Sequence, residues 1–553
     1  MSQSRTIDGK LLARMIRAGV ENLRSHVKSV NDLNVFPIPD GDTGDNMLLT
    51  SIGGMEKVDS HCSSVSDMSH SVSDGMLLSA RGNSGVILSQ IFEGMASALE
   101  GVENADSSDL VKALESGTKF AYEAVMTPTE GTMLTVMRCA TEYVARREYS
   151  SPMDVLADFL EEARRTLDKT PSMLPVLKKA CVVDSGGAGL VYIVEGMLRG
   201  AFSEDDSTED DDESFTFTAP GQQNLDLDLF TEDSVLEYGY CTELLVRLQR
   251  AKVDIESFDV NVILDYLREI GNSVVTVKRG SVVKIHVHTK TPDKVLSFCQ
   301  RYGEFLKIKI ENMSLQHSNT ELPDTEDSAP SVEKTEKKKY GVVAVASGEG
   351  IKKMFTDSGA DEIVDGGQSM NPSTEAFLRA FKNVNAETIF VLPNNSNILL
   401  TAKLAAGMFK FSDVRVIEAK STGEGYAALS MYSGEEESAD EIVEEMTDAM
   451  KSSVTAAVSK SIRDAEGVRE GEYIGFRGKD ILTSRPSRTD AVMETMASLG
   501  IDDYDIALVI YGKAVEEDEA KNVEKEISSR WKGKEIYLVD GGQDIYDYIL
   551  ILE

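Results

Sequence analysis

Three aspartates crowd into the stretch Asn34-Val35-Phe36-Pro37-Ile38-Pro39-Asp40-Gly41-Asp42-Thr43-Gly44-Asp45-Asn46. Carboxylates this close repel one another unless a cation joins them, and a short loop of hard oxygen ligands suits Mg²⁺ or Ca²⁺. The spacing begins like an EF-hand loop, but the Gly and the closing Glu of that pattern are missing at their positions. Mg²⁺ carried in with a nucleotide is the better reading of the cluster. The bland alternative is an Asp/Gly-rich turn with solvated charges. Pro37 and Pro39 break the preceding helix and stiffen the loop.

The loop has company. Residues 79–90 read SARGNSGVILSQ, a Gly-bearing turn that enters an apolar helix at Ser84. Free backbone N–H groups at a helix start, with the positive end of the helix dipole, make an anion site. Gly82 and Gly85 let a phosphate approach the backbone, while Asn83 and Ser84 offer side-chain donors. The bland reading is ordinary N-capping. Two more Gly-rich turns open helices, Glu130-Gly131-Thr132-Met133 and Asp184-Ser185-Gly186-Gly187-Ala188-Gly189. Neither a P-loop nor a Gly-x-Gly-x-x-Gly turn between strand and helix is present. Arg81 stands beside the second turn. It either stabilises developing negative charge or is a surface residue, and both readings stay open.

Three parts must position these groups, separated by two polar linkers. Residues 203–219 include SEDDSTEDDDES, too acidic to bury anything and so expected to be disordered; residues 319–339 are again polar. Residues 1–202 read as all-α: Leu12, Met15, Ile16, Val20, Leu23 and Val27 form one stripe, and similar stripes recur at 84–99, 108–125, 132–147, 152–168 and 187–200. An antiparallel helical bundle or helical barrel is expected. Residues 220–318 give the order β-α-β-β-α-β, an α+β ferredoxin-like pattern. Residues 340–553 alternate strand and helix, so an α/β parallel sheet is expected. EIVDGGQS at 362–369 and LVDGGQD at 538–544 echo one another, as two similar strand stops or as two related halves.

In a ferredoxin-like sheet the first and third strands are adjacent and antiparallel. That brings Cys241, early in the first, toward His286 and His288, late in the third. One Cys and two His make a zinc set with an open fourth position; a buried thiol beside two half-exposed histidines is the alternative. His317 is a further candidate ligand. In the last part Ser347, Ser369, Asn394, Asn395, Ser421 and Thr422 sit at expected strand ends, where α/β sheets bind ligands.

The chain has 553 residues, 57 Lys plus Arg against 94 Asp plus Glu, and a formal charge of −37. That argues against nucleic acid or an anionic membrane as the main partner. No apolar run is long enough to span a bilayer, and the N-terminus has no signal-peptide core. Five scattered cysteines point to a reducing cytoplasm rather than a disulfide framework.

NVFPIPDGDTGDNM, SARGNSGVILSQ, EGTMLTV and VVDSGGAGLV, in this order, resemble the nucleotide-binding domain shared with the L subunit of dihydroxyacetone kinase. The whole chain resembles the kinase subunit of bacterial fatty acid kinase. The resemblance implies an eight-helix barrel binding ATP, with Asp40, Asp42 and Asp45 holding Mg²⁺. Asn34, Thr43, Asn46, Gly82, Asn83, Ser84, Gly131, Thr132, Met133, Asp184 and Gly186 would contact nucleotide or its metals. It also implies zinc at Cys241, His286 and His288. The implied reaction is phosphoryl transfer, which needs positioning and charge neutralisation more than covalent chemistry. The acceptor would be the carboxylate of a fatty acid carried by a separate fatty-acid-binding protein, and the acyl phosphate would feed phospholipid synthesis. The α/β part, similar to those carriers in a degenerate form, would help dock one. A homodimer is compatible with the family. Dihydroxyacetone-type kinases hold their sugar through a covalent His, and no His follows His317, which counts against a ketose kinase. A kinase of a small hydroxylated substrate and a non-catalytic ATP-binding scaffold are the alternatives.

Overall fold

The computed structural model describes residues 6–34, 41–58, 62–202, 240–250, 252–255, 258, 260–279, 281–312, 337–367, 371–432, 434, 438–465 and 467–553. Two compact units form: residues 1–206 with 336–553, and residues 207–335.

Among the described residues, eight longer helices build the first part: α1 (Gly9–Asp32), α2 (Thr43–Glu56), α3 (Val65–Ser79), α4 (Gly82–Ala98), α5 (Ser107–Glu123), α6 (Met133–Ala145), α7 (Pro152–Leu167) and α10 (Ser185–Phe202). Two short ones, α8 (Thr170–Met173) and α9 (Pro175–Ala180), precede the last. Asp8 caps α1 by accepting the Leu11 N–H at 2.7 Å. Its stripe of Leu12, Met15, Ile16, Val20 and Leu23 is buried in one core with Met47, Val136, Phe159, Leu190 and Ile193. Helices α4 to α7 and α10 follow the five apolar stripes within a few residues. Helix α2 carries no such stripe, and its buried face is largely small or polar, with Thr43, Asn46, Thr50, Ser51, Gly53 and Gly54. Helix α3 buries Val65, Met68, Val72 and Met76 at helical spacing beside the small Ser66, Ser69, Ser73 and Gly75. Helix α4 starts at Gly82, not Ser84, which places Asn83 and Ser84 inside its first turn.

The same unit contains the α/β domain, with two sheets where one was expected. The first is all parallel: β5 (Lys338–Ala346), β6 (Glu362–Asp365), β7 (Ala386–Leu392) and β8 (Asp413–Val416), in the order β6-β5-β7-β8. Helices α13 (Glu349–Asp357), α14 (Thr374–Val384) and α15 (Leu399–Met408) lie between its strands in sequence, and α16 (Thr422–Ser430) and α17 (Ala439–Ser452) follow. The second sheet is mixed, in the order β11-β10-β9-β14-β12-β13. It joins β9 (Val454–Lys460), β10 (Tyr473–Arg477), β11 (Asp480–Arg485), β12 (Ile506–Tyr511), β13 (Glu535–Asp540) and β14 (Tyr548–Leu552). Only β12 and β13 pair in parallel there. Helices α18 (Arg488–Ser498) and α19 (Glu517–Arg530) complete it. The two VDGGQ segments end β6 and β13, each an edge strand. One sheet is parallel and the other mixed, so the echo marks two similar strand stops.

The second unit, by itself, holds β1 (Tyr240–Leu248), α11 (Asn261–Ile270), β2 (Gly271–Arg279), β3 (Val282–Thr289), α12 (Pro292–Cys299) and β4 (Gly303–Asn312). Its sheet runs β2-β3-β1-β4 with every neighbouring pair antiparallel. Residues 203–239 and 313–336, with both linkers' acidic and polar runs, lie outside the described residues.

Helix α10 approaches α1 so closely that a Cβ on Gly196 would meet the Ala18 carbonyl and come within 2.7 Å of Gly19 Cα. Overpacking of this kind costs about 1–3 kcal/mol. Gly196→Val is expected to lower the melting temperature of the full chain by several degrees in calorimetry; an unchanged melting temperature would mean the helices are free to part.

Candidate nucleotide and metal site

The C-terminal end of α1 and the starts of α2, α4, α6 and α10 supply the sequence-predicted residues. At the end of α1, Asn31 does two jobs. Its Oδ1 accepts the Gly44 N–H at 2.7 Å, and its Nδ2 donates to Asp45 Oδ2 at 2.7 Å. Asp45 is exposed and spends its carboxylate on that bond. Asn34 Oδ1 accepts from Thr43 Oγ1 at 3.2 Å and from Ser185 Oγ at 3.4 Å, and the two hydroxyls are 3.3 Å apart. The first turn of α10 is thereby tied to the first turn of α2. Asp42 is the N-cap of α2 but makes no side-chain cap bond. Its Oδ2 instead accepts from Asn371 Nδ2. Asp40 lies outside the described residues.

Asn46 is buried, and Thr50 Oγ1 donates to its carbonyl at 2.7 Å. Gly82 has φ +55, and a Cβ there would stand 2.6 Å from Asn46 Nδ2 and 3.5 Å from Asn371 Oδ1. The first turn of α4 therefore lies against α2, and no side chain separates them. Buried Asn83 Oδ1 and Arg81 Nε have no hydrogen-bond partner among the described residues. Burial pulls the Arg81 guanidinium below its usual range, and the Glu375 carboxylate on α14 partly offsets this. Arg81 is thus half-buried rather than a free surface group.

At the start of α10, Asp184 Oδ2 accepts the Gly187 N–H at 2.7 Å, and its backbone N–H donates to Thr170 Oγ1 at 3.1 Å. A Cβ on Gly186 would lie 3.3 Å from Met133 Cβ, which brings the starts of α6 and α10 together. Desolvation pushes the Asp184 carboxyl up to about 6, against the backbone N–H groups of Gly187 and Met133, which favour its charged form. Gly131, at φ +87, lies under Met173 and Leu174 and donates its N–H to Thr135 Oγ1 at 2.8 Å. The Thr132 hydroxyl is occupied by the Thr129 carbonyl at 2.8 Å. These two shape the turn.

The predicted residues divide into one group around Asn34, Asp42, Thr43, Asn46 and Gly82 and another around Met133, Asp184 and Gly186. Ser185 sits between them. Oxygen donors dominate beside the first turns of α2 and α10, so the donor set fits a hard divalent ion with a phosphate-bearing ligand. Among the described residues, no three His, Cys, Asp or Glu side chains form a metal cluster. Asn31 and Asn371 were not anticipated. Asn31 sits in a helical stripe that gives no sign of it. Asn371 precedes a proline after the first VDGGQ segment, a signal for a turn but not for a contact with α2.

In the second unit Cys241 stands directly opposite His288 and Glu243 opposite His286 in the β1–β3 register. The side chains of Cys241, His286 and His288 lie outside what is described. In the α/β domain Asn394, Asn395, Ser421 and Thr422 line a cleft of about 230 Å³ with Lys420 and Lys479. Ser347 lines the narrower space beside it, and Ser369 lies outside the described residues.

Family models match most of the chain: a DAK2 domain over residues 37–199, a fatty acid kinase FakA-like middle domain over 237–320 and a fatty acid kinase FakA-like C-terminal domain over 341–553. This is a kinase-type, nucleotide-using architecture. Protein YloV of Bacillus subtilis is 36% identical over 99% of this chain and 100% of its own. An uncharacterized protein of Staphylococcus saprophyticus is 35% identical over 99% of both chains. The chain belongs to the FakA-like family of fatty acid kinase proteins. A solved structure of the Streptococcus pneumoniae fatty acid kinase B3 protein loaded with linoleic acid aligns with 39% of this chain and 99% of its own, at 13% identity and a TM-score of 0.29. Among the described residues no helix is long and apolar enough to cross a membrane.

The raised Asp184 pKa makes a pH prediction. Its ordinary value is 3.8 and its folded value about 6. Between these the folded chain holds the extra proton, so this contribution to stability is full below about 4 and is lost as pH rises through 6. Asp184→Asn keeps an oxygen for the Gly187 N–H and cannot ionise. The variant's melting temperature relative to wild type should therefore be higher at pH 7 than at pH 4.5. A pH-independent difference would place the Asp184 titration elsewhere.

Proposed function

We propose that the chain transfers the γ-phosphoryl group of ATP to the carboxylate of a fatty acid presented by a separate fatty-acid-binding protein, giving an acyl phosphate for phospholipid synthesis. The observation that carries this is that Asn34, Thr43 and Ser185 tie the first turns of α2 and α10 together, with the start of α4 packed against α2 at Gly82, in the part of the chain that the DAK2 model matches. One carboxylate oxygen of the acceptor bonds to the γ-phosphorus, the bond to the β–γ bridging oxygen breaks, and ADP leaves with that electron pair. A carboxylate is already ionised at neutral pH, so this acceptor needs no general base.

Asp42, with Asn34 and Asp40, would hold Mg²⁺, which supplies charge neutralisation on the phosphates. The first turns of α4 and α10 direct N–H groups at the phosphate oxygens, and Gly82 and Gly186 keep side chains out of the way. Arg81, half-buried at the N-cap of α4, adds positive charge there. The separate carrier is favoured by size: the α/β cleft of about 230 Å³ falls below the roughly 300–1,000 Å³ of ordinary ligand pockets.

Eight longer helices support reading the first domain as an eight-helix barrel, and the β2-β3-β1-β4 order supports a ferredoxin-like second unit. The β1–β3 register supports zinc at Cys241, His286 and His288. The scattered cysteines favour a cytoplasmic protein.

Labelled ATP, Mg²⁺ and a fatty acid should give acyl phosphate, trapped with hydroxylamine, only when a lipid-binding partner is added. Asp42→Ala should lower the rate at least ~100-fold with an unchanged circular dichroism spectrum. A ketose phosphorylated while no acyl phosphate forms would overturn the reading. For the second unit, metal analysis should find zinc in the wild type and lose it in Cys241→Ala and His286→Ala; equal zinc in all three would reject that site.

A further inference from the structure

Two side chains of the α/β domain reach the two flanks of the metal loop. Arg463, in the turn after β9, donates from Nη1 to the Asp32 carbonyl at 3.0 Å and to the Asn34 carbonyl at 2.5 Å. Asn371, in the turn before α14, donates to the Asp42 carboxylate. Asn371 is 2% exposed, and its Oδ1 faces the Gly82 position. It therefore lies between the proposed metal ligand and the start of α4. The turn that carries it is held as well: the Thr374 N–H donates to the Ala80 carbonyl at 3.2 Å and Thr374 Oγ1 to the same oxygen at 3.4 Å. Ser373 caps α14 by accepting the Ala376 N–H at 3.3 Å.

A carboxylate that ligates a metal is usually oriented by a hydrogen bond from a second residue, and loss of that partner typically costs 10- to 100-fold in metal affinity. An amide suits the task here. It donates without adding charge, and Asn371 leaves the carboxylate anionic where a lysine would neutralise it.

We propose that Asn371 and Arg463 are positioning residues of the phosphoryl-transfer site. The α/β domain would then be part of the metal-binding machinery of the helical domain as well as a docking module. This rests on the proposed role of Asp42 as a metal ligand. It goes beyond that role in making cation affinity depend on residues 329 and more positions away in sequence.

The test measures Mn²⁺ binding to the full-length chain by electron paramagnetic resonance, with ADP present and no acceptor, so that no turnover is involved. Asn371→Ala and Arg463→Ala should each weaken Mn²⁺ binding about 10- to 100-fold and change the spectrum of the bound ion. Lys403→Ala is the control, because Lys403 Nζ reaches Met126 Sδ at 2.9 Å between the same two domains without being part of the loop. It should leave Mn²⁺ affinity at the wild-type value. If Asp42→Ala loses Mn²⁺ while Asn371→Ala and Arg463→Ala stay within about twofold of wild type, this inference fails and the proposed function stands. Equal binding by wild type and Asp42→Ala would sink both. A matching loss in Lys403→Ala would assign the effect to general loosening of the domains and also overturn the inference.

Discussion

The start of α2 is where the competing demands of this structure meet. A helix N-terminus must satisfy its leading N–H groups, and the residue placed to do so, Asp42, does not. Asn31, from the last turn of α1, takes the Gly44 N–H instead. That substitution lets the Asp42 carboxylate turn toward Asn371 while staying within the field of the helix start. The same turn of α2 buries Thr43, whose hydroxyl needs Asn34, which in turn accepts from Ser185. Four elements from both domains of this unit thus depend on one helix end. Because an unpaired buried polar group is expensive, such a network is satisfied as a set.

Glycines let those helices come close enough. A Cβ on Gly85 would collide with Thr50 Oγ1, and one on Gly75 would collide with the Gly53 carbonyl. Large residues would hold the helices apart and separate the first turns of α2 and α4. The cost is a weak apolar signature on α2, whose first turn forms part of the site.

That cost explains what the sequence made legible. Helices α4 to α7 and α10 bury branched and long apolar residues at helical spacing, so periodicity finds them. The β-α-β-β-α-β order of the second unit is legible for a similar reason, since period-two runs such as SVVKIHVHT mark its strands. Strand β14 (YILIL) is buried throughout and has no alternation to read. It joins β9 and β12 into a mixed sheet that strand-and-helix alternation alone does not suggest. In the site, the Asp and Gly turns were visible because their chemistry is local. Asn371 and Arg463 were not, because their contacts form only once the α/β domain has folded against α1, α2 and α4.

Charge gives the arrangement its functional sense. A chain at −37 repels a nucleotide triphosphate at long range. The described site contains little free positive side-chain charge to reverse that, since Arg81 is desolvated and lies near Glu375, and Arg463 spends Nη1 on the Asp32 and Asn34 carbonyls. On the proposed function, attraction would then be short-range, supplied by the first turns of α2, α4 and α10 and by a divalent ion whose carboxylate ligands would otherwise add to the repulsion. A carboxylate serves this purpose only when its orientation is set before the ion arrives, because a freely rotating one would lose entropy on binding. A neutral amide such as Asn371 can impose that orientation without cancelling the charge that attracts the ion. On this logic the acidic surface and the amide-held aspartate belong together: the first discourages unmetallated nucleotide, and the second rewards the metal complex.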